Sequence, residues 1–425
     1  MAEKLDRVLA QALRRAPESA LAVMRLSLAD WLAVGLAGQD EPVAQLTRDM
    51  VLAEAGKGEA ALFGGGRVPA RAAALANGAA SHALDYDDTH FAHIGHPSVA
   101  VIPAALAMAE RVGAGQDSFL RAVLAGCEAS VRLGLLLGRG HYQTGFHQTA
   151  TAGAFGATLA AVRLLSDDET VLRQALGLVS TRASGLKSQF GTMGKPYNAG
   201  IAAANGVEAA LLAMRGFVST PEAVDGALGF LETHHADGAG AGADGFLMED
   251  VSLKFHACCH GLHAALEALS TLKEGITGNV DAVETVEVRT NPRWLTVCDK
   301  PEPQTGLEAK FSYRAVMALS LLGHETAALS TFDDRLVLSP RVVTLRDKVH
   351  VVARDEVPEP AAVVRVTTDG QTREAHHDLA APLDIDTRAA KLQQKIIALH
   401  GDDIAGRIMA AAHGGDIAGS LAVMG

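Results

Sequence analysis

The first two-thirds of the chain is rich in Ala, Leu and Gly, and its apolar residues recur at the spacing of one helix face. One such stripe holds Leu120, Val123, Leu124, Cys127, Val131 and Leu135. This spacing is typical of amphipathic helices. Because small Ala and Gly side chains let helix axes approach closely, we expect a compact bundle of helices.

Two local patterns in this region predict helix starts. Ser166 and Glu169 have the spacing of a capping box, in which each side chain reaches the other's exposed backbone N–H. Thr220-Pro221-Glu222 combines a capping residue, Pro at the first helical position and an acid near the positive end of the helix dipole. We therefore expect one helix after Ser166 and another after Thr220.

The texture of the sequence changes near Gly278, where β-branched residues become frequent. The predicted strands are 283–290, 348–353, 362–368 and 372–375, the last two joined by Asp369-Gly370. An Asp-Gly pair between two such runs indicates a β-hairpin. A helix is predicted over 309–322, and helical pattern returns from Thr387 to the end.

These patterns predict a mainly α protein with a large all-helical domain and a smaller α+β domain inserted before its last helices. We expect the helical domain to comprise residues 1–270 and 400–425, and the α+β domain residues 271–399. The stretch Ala236 to Gly245 resembles a dinucleotide-binding loop, which would need a preceding strand. Since a polar helical segment precedes it, we interpret it as a flexible loop, with a mobile lid edge as the alternative.

Composition excludes several classes of protein. Of 425 residues, 48% are hydrophobic and 20% charged, which is ordinary for a globular protein. A net charge of −12 argues against nucleic-acid binding, and four cysteines argue against a disulfide framework. No signal peptide and no uncharged apolar segment of about 18 residues is apparent. We therefore expect a cytoplasmic protein without a membrane span.

The densest polar cluster runs from His82 to Ser98 and leaves several interpretations open. Asp85, Asp87 and Thr89 fit the D-x-D-x-T pattern of aspartate-nucleophile phosphatases, but no strand-like run precedes them. The same acids resemble the D-x-D-D motif of terpene cyclases, although only 4% of residues are aromatic. The even spacing of His90, His93 and His96 is compatible with metal ligands.

The remaining interpretation of this cluster is a solvated polar loop. In it, Asp87, Asp88, His90 and His93 merely bond to exposed backbone groups. Three further motifs carry candidate functional groups: 145–150 with a lone histidine, 191–200 with a lysine before Pro, and 254–263. The last resembles a zinc knuckle but lacks a C-x-x-C pair, which argues against zinc.

Taken in order, these motifs resemble those of the MmgE/PrpD family, which includes 2-methylcitrate dehydratase and cis-aconitate decarboxylase. The matching segments are HALDYDDTH…HPS, GFHQTATAGAFGA, MGKPYNAGIAAANGVEAALLA and KFHACCHGLHAALEAL. The resemblance implies a helical domain plus an α+β lid, a homodimer, and an active site that uses no metal or organic cofactor. It also implies a small di- or tricarboxylate as the substrate.

The resemblance further implies which residues form the site. The expected catalytic residues are His96 for proton transfer, Asp85 to orient it, and Lys195 and His147 to stabilise developing negative charge. The expected substrate-binding residues are Thr89, Lys254 and His263, which match the family's motifs, and Arg314, which departs from them. All of them should meet in one cationic crevice.

The chain departs from the family pattern at three places. His256-Ala257 replaces Tyr-Pro, Asn198 replaces a common His, and Arg314-Ala315 replaces Pro-Tyr, so that Tyr313 is displaced. Arg314 would suit a carboxylate clamp, because a guanidinium binds carboxylates in a fork. The expected activity is a lyase that dehydrates or decarboxylates its substrate. An epimerase of a related acid and a non-catalytic acid-binding protein are the alternatives.

Overall fold

A computed structural model describes residues 3–220, 222–238, 240–273, 276 and 280–425 of the chain. By their internal contacts these residues form two compact units. The first comprises the residues up to Leu253 together with Asp402–Gly425, and the second is Lys254–Gly401. Gly278 and Pro221, which mark predicted transitions, lie outside the described residues.

The first unit is a helical bundle, as the Ala- and Gly-rich sequence predicts. Its helices are α1 (Glu3–Ala12), α2 (Glu18–Gly38), α3 (Pro42–Ala53), α4 (Ala70–His82), α5 (Ser98–Val112), α6 (Gln116–Thr144), α7 (Gln148–Arg163), α8 (Glu169–Ser180), α9 (Gly194–Ala213), α10 (Phe230–Thr233), α18 (Asp402–His413) and α19 (Ala418–Met424). Two short antiparallel strands, β1 (Ala60–Ala61) and β2 (Arg67–Val68), complete it.

Glycines allow the helices of this unit to pack closely. Where α4 meets α9, a Cβ atom on Gly200 would lie 2.3 Å from the Leu75 carbonyl oxygen. A side chain at Gly200 would therefore force the two helices apart. Since α4 ends at His82 and α9 begins one residue before Lys195, this crossing fixes the distance between two of the candidate site segments.

The second unit is an α+β domain with a four-stranded mixed sheet. Its strands are β3 (Val283–Thr290), β4 (Val349–Ala353), β5 (Ala361–Thr368) and β6 (Gln371–Asp378), in the order β4-β3-β5-β6. Its helices are α11 (His263–Leu272), α12 (Pro292–Cys298), α13 (Gly306–Ala309), α14 (Tyr313–Leu321), α15 (Asp334–Val337), α16 (Pro340–Arg346) and α17 (Ile385–His400). The mainly α fold class with a smaller α+β domain is confirmed.

The predicted hairpin is present between β5 and β6. Thr368 pairs with Gln371, and the intervening Asp369 and Gly370 both have positive φ, at 50° and 71°. Positive φ at both central residues is what this tight turn requires. Strand β3 runs parallel to β4 and antiparallel to β5.

The unit boundary differs from the predicted one at 270/271. Contacts assign the residues from Lys254 onward to the second unit, because α11 packs against β5 and β6. Sequence texture alone did not reveal this, since α11 has a helical pattern like the elements of the first unit. The helix predicted over 309–322 begins later, at Tyr313, where the Ser312 hydroxyl accepts a hydrogen bond from the Ala315 N–H.

Both predicted helix starts in the first unit need correction. The N-cap of α8 is Asp168, which accepts a hydrogen bond from the Thr170 N–H, and Ser166 instead accepts one from the Asp168 N–H. The capping box at Ser166 is therefore wrong. After Thr220, residues 222–229 form turns and bends, and the next helix, α10, starts at Phe230.

Helix α2 satisfies the length and composition of a membrane span. An 18-residue window of it has a mean hydropathy of 1.6, and 78% of that window is buried within the fold. Its apolar side chains thus serve the bundle itself. Arg25 and Asp30 lie within the helix, as the absence of an uncharged segment predicts.

Candidate active site

Four helix ends of the first unit bring the candidate site residues together. His82 is the last residue of α4, and His96 lies two residues before α5. His147 immediately precedes α7, and Lys195 is the second residue of α9. The termini of α5, α7 and α9 at the site are N-termini, whose exposed N–H groups and dipoles favour bound anions.

The turn after α4 presents Asp85 to this cluster. Asp85 has a positive φ of 51°, a backbone conformation that Asp tolerates better than most residues. Its N–H donates a hydrogen bond to the His82 carbonyl oxygen at 3.1 Å. The compact turn therefore brings Asp85 back towards the end of α4.

A continuous chain of charged contacts runs through the cluster. The Lys195 ammonium lies 2.5 Å from Asp85 Oδ1, and the same oxygen lies 3.3 Å from His96 Nε2. On its other side, His96 Nδ1 lies 2.7 Å from Asp87 Oδ2. The second Asp87 oxygen lies 2.9 Å from His82 Nδ1. Two carboxylates thus alternate with three cationic or imidazole groups.

Burial and these neighbours shift the proton affinity of the cluster. Burial alone would raise the pKa of Asp87, but His82 and His96 outweigh it and hold that pKa below its ordinary value. Burial lowers the pKa of His82, and it lowers that of His147 well below the ordinary value, with His82 and Lys195 adding to the effect. Asp87 is therefore ionised, whereas His147 is a neutral hydrogen-bonding group at neutral pH.

His147 is held between aromatic rings and an amide. Its ring stacks on His82 with centroids 6.0 Å apart and meets Phe190 edge-on at 5.0 Å. The Asn198 Nδ2 donates to His147 Nδ1 at 3.3 Å and lies 3.5 Å from the Leu186 carbonyl oxygen. Because Nδ1 is the acceptor, the neutral His147 carries its proton on Nε2. Asn198, a departure from the family pattern, thus fixes the tautomer.

One side of the cluster is accessible to solvent. The side chain of Asp85 is 41% exposed, that of Lys195 16% and that of His96 12%, whereas His82, Asp87 and His147 are buried. Asp85 is the most exposed of the three and contacts both Lys195 and His96, so a small anion arriving from solvent would compete with Asp85 for these two groups. The predicted meeting of Asp85, His96, His147 and Lys195 is present in the structure.

The solvated-loop interpretation of 82–98 is wrong. Asp87, Asp88, His90 and His93 are all buried. Asp88 accepts hydrogen bonds from the backbone N–H and the hydroxyl of Ser98 at the start of α5, and burial raises its pKa to about 7. Asp87, Asp88 and His90 have polar partners inside the bundle, whereas both ring nitrogens of His93 are buried without a hydrogen-bond partner among the described residues.

The predicted histidine ligand set does not form among the described residues. His90 Nε2 bonds to the Leu247 carbonyl oxygen at 2.8 Å, and His96 lies against Asp87. A different set has ligand-type atoms within 4.8 Å of one another: His82, Asp85, Asp87 and His96. Its carboxylates already face imidazoles and the Lys195 ammonium, so ion pairing accounts for their closeness. Repulsion by the Lys195 ammonium would weaken the binding of a metal cation there.

The backbone of Thr89 pairs with that of Ser252. Its N–H and carbonyl pair with Ser252 at 2.9 and 2.8 Å, which ties the loop after α4 to the end of the first unit. Sequence reasoning missed His82 and underrated Asp87. The sequence signal was the pair His82 and Asp87, five residues apart and close in sequence to His96, the candidate base.

The other predicted substrate-binding residues lie in the second unit. Lys254 and His263 are buried, and burial holds the pKa of His263 well below its ordinary value. His263 Nε2 lies 3.3 Å from the Cys258 carbonyl oxygen, and the ring meets those of His256 and His260 edge-on.

The departure around Arg314 has a structural consequence. Tyr313 is fully buried, and its hydroxyl donates to the Gly261 carbonyl oxygen at 2.7 Å and contacts the Thr290 hydroxyl at 3.0 Å. The displaced Tyr313 thus supports the core of this unit. Arg314 Nε is a buried N–H without a hydrogen-bond partner among the described residues. This N–H is available to donate to an acceptor on a bound ligand.

Comparison with known proteins identifies the family. Residues 6–239 match the MmgE/PrpD N-terminal domain, and residues 256–402 match the MmgE/PrpD C-terminal domain. The chain belongs to the MmgE/PrpD family. The resemblance read from the four motifs is therefore confirmed.

Several relatives are cis-aconitate decarboxylases or similar to them. The cis-aconitate decarboxylase-like protein oryM of Aspergillus oryzae is 28% identical over 82% of this chain and 79% of its own length. The cis-aconitate decarboxylase of Aspergillus terreus is 29% identical over 65% of the chain and 62% of its length. The human cis-aconitate decarboxylase is 34% identical over 39% and 35%. These relatives support a lyase of the MmgE/PrpD family.

Proposed function

We propose that the protein is a cofactor-independent lyase that decarboxylates or dehydrates a small di- or tricarboxylate. The observation that carries this proposal is the meeting of Asp85, His96, His147 and Lys195, from three separate stretches of sequence, in one partly exposed cluster. The names of the relatives favour decarboxylation of a cis-aconitate-like acid as the first activity to test.

The cluster suits the difficult step of such a reaction. In decarboxylation, the C–C bond to one carboxylate breaks, CO2 leaves, and the electron pair spreads into a neighbouring carboxylate. A proton must then form the new C–H bond. Cationic groups and donors placed where the negative charge develops lower the barrier, and a positioned acid supplies the proton.

Each residue has a role in this scheme. Lys195 and the Nε2–H of His147 bind a substrate carboxylate and stabilise the charge that develops on it. His96 delivers the proton, and Asp85 holds both His96 and Lys195 in place before the substrate arrives. In dehydration, His96 would remove the C–H proton and a neighbouring acid would protonate the departing hydroxyl.

The predicted substrate-binding residues and the setting of the enzyme belong to the same proposal. Thr89, Lys254, His263 and Arg314 would bind further carboxylate or hydroxyl groups of the substrate. We expect a homodimer in the cytoplasm, where the four free cysteines would stay reduced. Sedimentation analysis of the full chain would test the dimer.

Proton NMR in D2O with cis-aconitate, citrate, 2-methylcitrate and substituted succinates tests the activity. We expect one acid to lose CO2 or water, at a rate that a chelator does not change. Deuterium uptake at carbon without net conversion would instead indicate an epimerase. Binding of an acid with neither exchange nor conversion would indicate the non-catalytic alternative and contradict the proposal.

The matched variants separate catalysis from folding. His96→Gln should abolish turnover while the thermal unfolding transition stays within a few degrees of that of the native chain. His413→Gln, which changes an exposed histidine of α18, serves as the control. A fully active His96→Gln protein would remove His96 from the mechanism.

A further inference from the structure

Asp87 lies between two imidazoles, on the buried side of the cluster. Its Oδ1 faces His82 Nδ1 at 2.9 Å, and its Oδ2 faces His96 Nδ1 at 2.7 Å. His82 and Asp87 are buried, and both Asp87 oxygens face the two imidazoles, so Asp87 presents neither oxygen to the exposed side where Lys195 and Asp85 lie. Both residues lie behind His96.

This geometry determines where the hydrogens lie. An ionised carboxylate only accepts hydrogen bonds, so Nδ1 carries the hydrogen in the His82–Asp87 hydrogen bond. His96 Nδ1 and Asp87 Oδ2 do not have hydrogen-bond geometry, but at 2.7 Å a nitrogen lone pair would repel the carboxylate, so this Nδ1 carries a hydrogen as well. Both Nδ1 atoms are therefore protonated. His82 Nε2 is buried without a hydrogen-bond partner among the described residues, which suits an unprotonated nitrogen better than a stranded N–H donor.

The same argument holds for both charge states of His96. Nδ1 keeps its hydrogen against Asp87 whether the ring is neutral or positively charged. Only Nε2, which faces Asp85 at 3.3 Å on the exposed side, is left to gain and lose a proton. A ring in which Nδ1 exchanged the proton would direct its chemistry into the buried interior.

We infer that His82 and Asp87 form a buried positioning pair that confines proton exchange by His96 to its Nε2 atom. The inference rests on the proposed function, in which His96 moves the proton. His82 completes the pair by occupying the second Asp87 oxygen, and its ring packs edge-on against His96 with centroids 4.7 Å apart. His82 thus holds one oxygen of Asp87 in place, and the other oxygen of Asp87 orients His96.

The direct test is the tautomer of His96, measured by two-bond 1H–15N correlation in protein labelled at histidine. The signals of His96 are assigned by their loss in His96→Gln. We expect the native protein to carry the hydrogen on Nδ1, and Asp87→Asn to lose this preference, because the amide NH2 can donate to Nδ1. The measurement uses the substrate-free protein, so it stands even if no tested acid is turned over.

Asp88→Asn is the matched control for this substitution. Asp88 is the adjacent residue and equally buried, but its partners are the Ser98 N–H and hydroxyl. We expect Asp88→Asn to leave the Nδ1–H signature of His96 unchanged. An Asp87→Asn protein that keeps this signature, or a native protein with the hydrogen on Nε2 alone, would overturn the inference.

Kinetics provides a second readout that a purely structural role would not move. We expect Asp87→Asn to lower kcat by roughly 10²- to 10⁴-fold with KM changed by less than about threefold, as for loss of a positioned acid or base.

If Asp87→Asn fails to fold, comparison of His82→Asn with His82→Leu tests the inference instead. Asn keeps a donor where Nδ1 lies and should retain kcat within about threefold, whereas Leu should lose at least tenfold. Equal kcat in the two His82 variants would contradict the inference.

Discussion

One carboxylate oxygen of Asp85 faces two nitrogen atoms, the Lys195 ammonium at 2.5 Å and His96 Nε2 at 3.3 Å. Asp85 therefore occupies, in the substrate-free protein, the kind of position that a substrate carboxylate would take. It keeps the Lys195 ammonium and the His96 ring close together. Substrate binding would exchange one carboxylate for another at little electrostatic cost.

Replacing Lys195 should remove the main positive charge of this arrangement. We expect Lys195→Met to lower kcat/KM by roughly 10²-fold or more, since a charge that stabilises a transition state typically contributes several kcal/mol. Steady-state kinetics on the acid identified by NMR measures this. Lys187→Met is the control, because the Lys187 ammonium donates to the Tyr142 carbonyl oxygen. Similar losses in both variants would show that Lys195 has no special role.

Asn198 should control which nitrogen of His147 donates to the substrate. Because its amide donates to His147 Nδ1 at 3.3 Å, Asn198→Asp replaces a donor by an acceptor and should move the hydrogen of His147 to Nδ1. We expect kcat/KM to fall by at least about tenfold in Asn198→Asp and by less in Asn198→Leu. Nitrogen-15 shifts of His147 would report the tautomer.

A control on the same helix separates this effect from stability. Asn205 is also buried in α9, where it bonds to the Arg182 carbonyl oxygen and guanidinium. Asn205→Leu should destabilise the fold without changing the His147 tautomer. If Asn198→Asp retains native kcat/KM, the tautomer of His147 is irrelevant to turnover.

Acid should destabilise the folded state through its buried neutral histidines. Burial lowers the pKa of His93 to about 3, whereas an unfolded histidine has a pKa of about 6.5. Between these values the unfolded chain binds the extra proton, so the free energy of unfolding falls as pH decreases. His93 alone should contribute a loss of about 1.4 kcal/mol per pH unit below pH 6.5.

Denaturant unfolding at several pH values between 7.5 and 5 measures this slope. His93→Phe has no titratable group at this position. The slope of its free energy of unfolding against pH should therefore decrease by up to about 1.4 kcal/mol per pH unit, the contribution of one proton. His413→Gln, at an exposed position, should leave the slope unchanged. Equal slopes in native protein and His93→Phe would mean that the proton affinity of His93 does not change on unfolding.

The sequence predicted the elements whose signals are local. The Asp369-Gly370 hairpin follows from the φ preferences of two residues, and the stripe from Leu120 to Leu135 lies on one long helix, α6. The capping of α8 was missed because Ser166 and Asp168 both suit a helix start. The choice between them depends on where the preceding α7 ends.

The site was predictable only in part. Lys195, His147 and His96 could be named from their motifs, but the burial of Asp87 and His93 could not, because it depends on helices distant in sequence. A Cβ atom on Gly134 in α6, for example, would lie 2.2 Å from His93 Nδ1. The position of His82 behind His96 likewise follows from how α4 packs, which no local pattern encodes.

The described residues of the glycine-rich stretch, 236–238 and 240–245, form a loop, as predicted, but the backbone of this loop is anchored to α6. The Arg132 guanidinium donates to the carbonyl oxygens of Ala241, Ala243 and Gly245 at 2.9, 3.1 and 2.6 Å. Arg132 is fully buried and forms an ion pair with Glu128 at 2.7 Å. Glu128 in turn accepts hydrogen bonds from the backbone N–H groups of residues 247 and 248, which follow this stretch.

Removing one partner of this pair should therefore be costly. Arg132→Met leaves the Glu128 charge buried and uncompensated, so we expect a loss of about 3–5 kcal/mol in the free energy of unfolding. The double variant Arg132→Met/Glu128→Gln should recover part of that loss, because no uncompensated charge remains. Chemical denaturation measures both, and limited proteolysis should cut 238–245 faster in Arg132→Met. If the double variant is as unstable as the sum of the single ones, the two side chains do not act as a pair, and the anchoring of the loop rests on Arg132 alone.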